Sequence, residues 1–130
     1  MKPKILIVIA NYYKLISTDL LESAIYHVDK KSKLSVIRVP GVFEIPVVIS
    51  KNIKKYNGFI VLGCVIKGET PHFDFISQAT TNAIMQLSID HKKPIGNGII
   101  TALNKDQAEA RAEKKGIEAA EAVLSVLKVF

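Results

Sequence analysis

The chain has 130 residues, 48% of them hydrophobic and 23% charged, and its mean hydropathy is +0.22. These values exclude a disordered or fibrous chain and leave room for a single domain spanning 1–130 rather than two. The net charge of +6 raises nucleic acid, a membrane surface or an anionic small substrate as partners.

The charge distribution argues against the first two. The lysines gather in groups, Lys30, Lys31 and Lys33, then Lys51, Lys54 and Lys55, then Lys92 and Lys93, then Lys114 and Lys115. Three of these groups follow segments with helical spacing, where cations complement the negative end of a helix dipole, and this is expected to account for most of the surplus. There is no Trp, and no aromatic residues interleave with the basic groups as a single-strand stacking platform needs. Neither nucleic acid nor membrane is therefore expected as a partner. The single cysteine, Cys64, lies inside an apolar run and excludes an internal disulfide, so a reducing compartment is expected. Lys2-Pro3-Lys4 precedes only six apolar residues, short for a signal-peptide core, so the cytoplasm is the expected location.

In chain order, four apolar, β-branched runs at 5–10, 34–39, 59–66 and 95–101 read as strands buried on both faces. Between the first two lies a helix expected to start near Ser17, Thr18 or Asp19, with Leu20, Leu21, Ala24, Ile25 and Val28 on one face. The second helix is expected from Glu44 to Lys55, where Pro46 is tolerable only in the first turn. A third follows Pro71 and closes at Pro94, and residues 104–129 are helical in composition with Gly116 as the expected break. Alternating strands and helices give parallel pairing, so the predicted fold is a three-layer α/β/α sandwich, flavodoxin-like, with a four-stranded parallel sheet.

In such sheets, chemistry collects at the carboxyl ends of the strands. Gly68, Glu69, Thr70, Pro71 and His72 follow the third strand, where Gly68 permits close backbone approach and the helix start offers N–H groups to an anion. His72 there is either a proton carrier near neutral pH or a surface residue of the first turn, with Thr70 as a cap. Arg111 is either a phosphate fork or a helix-face partner for Glu109 and Glu113. Tyr12 is a stacking lid or a loop aromatic, and Glu44 suits a helix start by charge alone. Cys64 reads as inert core rather than nucleophile. His27 and His91 fall near helix ends and receive no role. Metal-ligand spacing is absent, as are phosphate-binding and dinucleotide-binding glycine signatures; Gly96-Asn97-Gly98 marks a close approach to the fourth strand.

Four segments, in order, carry a resemblance: Pro40-Gly41-Val42-Phe43-Glu44-Ile45-Pro46; Leu62-Gly63-Cys64-Val65-Ile66-Lys67-Gly68-Glu69-Thr70-Pro71-His72-Phe73-Asp74; Pro94-Ile95-Gly96-Asn97-Gly98-Ile99-Ile100-Thr101; and Lys115-Gly116-Ile117-Glu118-Ala119-Ala120. Together they resemble the 6,7-dimethyl-8-ribityllumazine synthase family. The resemblance implies condensation of 5-amino-6-(D-ribitylamino)uracil with 3,4-dihydroxy-2-butanone 4-phosphate, the penultimate step of riboflavin synthesis, without metal or cofactor.

By the same match, Tyr12 takes the position stacking on the pyrimidine, and Val42, Phe43 and Glu44 line the ribityl chain. Cys64, Val65 and Ile66 meet the pyrimidine, Glu69 and Thr70 belong to the phosphate loop, and Asn97 occupies a ligand-contact position. His72 matches the proton-transfer residue and Arg111 the phosphate-holding arginine. Asn11 and Tyr13 replace the more usual arginine and asparagine beside Tyr12, and Asn97 stands where many members have an aromatic. The resemblance further implies a homopentamer, or a multiple of it, with active sites shared between subunits.

Overall fold

The computed structural model describes residues 2–69 and 73–128, with the side chain of Glu69 outside that description. Its strands are β1 (Lys4–Ala10), β2 (Lys33–Val39), β3 (Gly58–Ile66) and β4 (Ile95–Ala102). They alternate with helices α1 (Lys14–Val28), α2 (Ile45–Asn52), α3 (Phe73–His91) and α4 (Lys105–Leu127). All strand pairs are parallel, in the order β2-β1-β3-β4.

Period-2 alternation along the two central strands divides the core into two layers. Ile5, Ile7 and Ile9 join Ile60, Leu62, Cys64 and Ile66 against α1 and α4. Leu6, Val8 and Ala10 join Phe59, Val61 and Val65 against α2 and α3. Each such aliphatic side chain stabilises the fold by about 1.5–3 kcal/mol when fully buried, which is why β1 and β3 read as uninterrupted apolar runs. The three-layer α/β/α arrangement expected from the sequence is present, with corrections in detail.

Full burial on both faces fails for β2, where Lys33, Ser35 and Arg38 are exposed, because only β1 lies beside this edge strand. Helix α1 starts at Lys14, before the expected caps. Ser17 and Thr18 are inside it, their hydroxyls donating back to Ala10 O and Lys14 O, each at 2.8 Å. Helix α2 ends at Asn52 instead of Lys55; the Asn52 amide donates to Val48 O at 2.8 Å and takes up a last-turn carbonyl.

Helix α4 runs through Gly116 without a break. A Cβ at Gly116 would stand 2.1 Å from Ser23 Oγ and 2.5 Å from Leu20 O, so the glycine lets α1 and α4 touch. Likewise a Cβ at Gly96 would stand 2.1 Å from Ala119 O, as the close approach expected of β4 requires. Gly68 is not packed in this way: a Cβ there would meet Leu103 O at an ordinary 3.8 Å.

The parallel topology also polarises charge. Strand starts and helix ends share one pole, where Lys2, Lys4, Lys30, Lys31, Lys33, Lys51, Lys54, Lys55, Lys92, Lys93 and Lys128 face only Asp29 and Asp90. Eleven cations against two anions leave a surplus of nine there, and seven cations against ten anions elsewhere restore the net +6. Four helix ends at about −0.5 charge each offset only about two of those nine. Dipole complementation therefore explains a minor part of the surplus, not most of it.

Candidate active site

At the carboxyl ends of β1 and β3 a cleft of about 230 Å³ is lined by Tyr12, Tyr13, Gly41, Val42, Phe43, Cys64, Val65, Ile66 and Ile76. Its wall is apolar and buried: Val42, Cys64, Val65 and Ile66 are each under one-tenth exposed. Its mouth carries two aromatic side chains that water reaches, Tyr12 at 70% and Phe43 at 64% exposure. Exposed aromatics at the rim of an apolar cleft suit a flat ring that slides between them and the wall. Larger hollows lie elsewhere, one of about 470 Å³ between α1 and the Glu113 and Ile117 side chains of α4 and one of about 600 Å³ from Glu22 to Lys31, but no strand end lines either of them.

Local hydrogen bonds shape each side of the cleft. After β1, Asn11 N–H donates to Val39 O at 3.0 Å and ties the Tyr12 loop to β2. After β2, a short 3-10 turn, Val42–Glu44, is closed by Glu44 N–H donating to Gly41 O at 3.2 Å. The Glu44 carboxylate in turn accepts from Gly41 N–H at 3.0 Å. The turn rests on β3 because Gly63 has no side chain: a Cβ there would stand 2.6 Å from Val42 Cγ1.

Six of the expected site residues therefore converge: Tyr12, Val42, Phe43, Cys64, Val65 and Ile66. Glu44 belongs to the same turn, but its carboxylate braces the backbone and does not line the cleft. Asn97 and Arg111 stand apart from it. Exposed Asn97 pairs with Val61 on edge strand β4 and accepts from Ile99 N–H at 3.0 Å. Val61 is four residues before Val65, or about 13 Å along a strand. Arg111 is exposed on α4, its guanidinium 3.5 Å from Thr101 O at the end of β4. The expected proton carrier His72 and the phosphate-loop residue Thr70 lie outside the described residues, as does the Glu69 side chain.

Gly41, Tyr13 and Ile76 line the cleft without having been expected there. Ile76, on α3, packs against the core layer beneath α2 and α3 and also lines the cleft. Tyr13 follows Tyr12 directly, and that adjacency was the available signal.

The family model described as 6,7-dimethyl-8-ribityllumazine synthase matches residues 2–130. The chain belongs to that family of enzymes. It is 41% identical over 134 positions to the 6,7-dimethyl-8-ribityllumazine synthase of Bartonella tribocorum, covering 97% of this chain and 89% of that protein. The synthase of Agrobacterium fabrum is 39% identical, with 98% and 95% covered. That of Campylobacter jejuni is 38% identical, with 98% and 87% covered. Family membership thus rests on nearly the whole chain, and the cleft is where its strand-end segments meet.

Proposed function

We propose that this chain condenses 5-amino-6-(D-ribitylamino)uracil with 3,4-dihydroxy-2-butanone 4-phosphate to 6,7-dimethyl-8-ribityllumazine, releasing phosphate and water, in the penultimate step of riboflavin biosynthesis. The carrying observation is the convergence of Tyr12, Val42, Phe43, Cys64, Val65 and Ile66 around one apolar cleft in a member of this family. In this reading the pyrimidine lies against Tyr12 and the ends of β3, with its ribityl chain along the turn that carries Val42, Phe43 and Glu44.

The reaction forms a carbon–nitrogen double bond between amine and ketone, expels phosphate and closes a ring. Each step moves protons and none transfers electrons to a carrier, so positioning plus one general acid–base residue suffices. His72 takes that role, and Arg111 with Glu69 and Thr70 holds the departing phosphate, whose loss is easier when its charge is met by fixed donors. Asn97 contacts ligand in the same reading.

A second copy of the chain completes the site. The cleft, at about 230 Å³, is smaller than the roughly 300–1,000 Å³ of a complete small-molecule site. Asn97 lies on edge strand β4 and Arg111 on α4 beside the end of that strand, both exposed and able to face a neighbour's cleft. Val47, Met85 and Ile89 expose apolar surface on α2 and α3, as an assembly interface requires. The proposed assembly is a homopentamer or a multiple of it, in the cytoplasm.

The test is lumazine absorbance on mixing the purified chain with both substrates, against an enzyme-free control. Acceleration supports the reading. No acceleration from a folded oligomer overturns it in favour of a flavin-binding module on the same sheet. A monomer in sedimentation overturns the shared site.

A further inference from the structure

The geometry points to Tyr13 as a positioning residue that holds Tyr12 in one orientation for the pyrimidine ring. The inference rests on the proposed stacking role of Tyr12 and goes beyond it, because it gives the neighbouring ring of Tyr13 a task of its own.

An aromatic side chain that is 70% exposed has little packing of its own to choose among its rotamers. Left free, Tyr12 would have to be ordered each time a ring bound, and that ordering would oppose binding. The backbone around it is already fixed. Asn11 N–H donates to Val39 O at 3.0 Å and Ser17 N–H to Tyr13 O at 2.9 Å. The buried hydroxyl of Ser17 also donates to Ala10 O at 2.8 Å, closing the loop from β1 to α1. These bonds fix the backbone but leave the Tyr12 side chain to its ring contact.

That contact is Tyr13. The two rings stand edge to face, with centroids 4.8 Å apart and planes at 76°, an arrangement in which the positive edge of one ring meets the negative face of the other. Tyr13 can serve as the fixed member because it is half-buried and packs on the core layer beneath α1 and α4. Lys105 Nζ, from the first residue of α4, lies 5.9 Å from the centroid of the Tyr13 ring. The orientation of Tyr12 is thereby referred to both α1 and α4, elements outside the loop itself.

The experiment compares steady-state kinetics of the assembled enzyme in five forms: wild type, Tyr13→Leu, Tyr13→Phe, Tyr12→Ala and the double variant Tyr12→Ala/Tyr13→Leu. Leucine keeps the apolar packing of Tyr13 and removes the ring. If Tyr13 orients Tyr12, Tyr13→Leu raises the KM for the pyrimidine by about 2- to 10-fold, the size of an aromatic edge contact, and that for the butanone phosphate less. Tyr13→Phe restores the wild-type KM. In the Tyr12→Ala background Tyr13→Leu adds nothing. Multiplicative effects in the double variant, or a Tyr13→Phe defect as large as that of Tyr13→Leu, would overturn the inference in favour of direct ligand contact by Tyr13. A Tyr12→Ala variant with unchanged pyrimidine KM overturns the stacking role itself, whatever Tyr13 does. Should Tyr13→Leu melt early, affinity of the folded Tyr13→Phe and Tyr12→Ala enzymes for the lumazine product, read calorimetrically, decides: Tyr13→Phe at wild-type affinity supports the inference and a loss matching Tyr12→Ala opposes it.

Discussion

The Glu44 carboxylate accepts a hydrogen bond from Gly41 N–H at 3.0 Å, across the 3-10 turn that carries Val42 and Phe43 into the cleft. One carboxylate oxygen is therefore engaged by the backbone, and the group has a structural task besides any contact with ribityl hydroxyls. The two tasks separate by substitution. Glu44→Gln keeps an oxygen acceptor for Gly41 and should leave the melting temperature nearly unchanged. Glu44→Ala removes it and should cost about 1 kcal/mol, the usual worth of a helix-start cap. A rise in pyrimidine KM in the Gln variant, with unchanged melting, would isolate the contribution of the negative charge to ribityl binding. Equal KM values in wild type and the Gln variant would confine Glu44 to bracing the turn.

Gly116 makes a sharper stability prediction. In an exposed helix interior Gly→Ala gains up to about 1 kcal/mol from propensity. Here the new Cβ would stand 2.1 Å from Ser23 Oγ and 2.5 Å from Leu20 O, and overpacking costs about 1–3 kcal/mol. The clash should win, lowering the urea midpoint. Adding Ser23→Ala removes the hydroxyl but not the Leu20 carbonyl, so the double variant should recover only part of the loss. A Gly116→Ala protein more stable than wild type would show that α1 and α4 separate easily.

The same glycine shows where the sequence stops being legible. Helix-breaking tendency is local and readable, whereas the approach of α1 to α4 depends on packing between segments far apart in the chain; packing won. Ser17 and Thr18 misled for a similar reason, since their hydroxyls serve carbonyls behind them rather than the helix start. Strands β1 and β3 were legible almost to the residue because burial on both faces leaves a continuous apolar run. At the site, the strand-end rule pointed to the Tyr12 loop and the turn after β2, whereas the places of Val42, Phe43, Cys64, Val65 and Ile66 were legible only through the family resemblance, since a buried strand end such as Cys64 reads as plain core. Ile76 was not legible, because helical periodicity gives a packed face and does not say which part of it reaches the strand ends.

The basic pole predicts an unusual salt response. With a surplus of nine cations at one end and no carboxylate within ion-pair distance of those lysines among the described residues, self-repulsion opposes folding. Raising ionic strength from about 0.01 M to about 0.3 M shortens the screening length from about 30 Å to below 10 Å. The melting temperature should rise over that range, and Lys54→Glu, beside Lys4, Lys33 and Lys55, should raise it at low salt and flatten the response. A melting temperature that falls with salt would mean that favourable pairs elsewhere outweigh the pole.

Arg111 and His72 give opposite kinetic signatures if the proposed reaction is right. Arg111 is exposed and, among the described residues, its guanidinium reaches Thr101 O at 3.5 Å, so Arg111→Ala removes little packing. Its cost should fall on the butanone phosphate, raising that KM more than the pyrimidine KM; the reverse ordering would remove it from the phosphate site. His72→Ala should instead lower kcat, by about 10- to 10⁴-fold on the scale of general acid–base catalysis. The low end of that range applies if holding amine and ketone together already supplies most of the acceleration, since proximity needs no proton carrier. The discriminating measurement is single-turnover formation of the lumazine with both substrates saturating. A His72→Ala rate equal to wild type would assign proton transfer elsewhere and leave the cleft working by positioning alone.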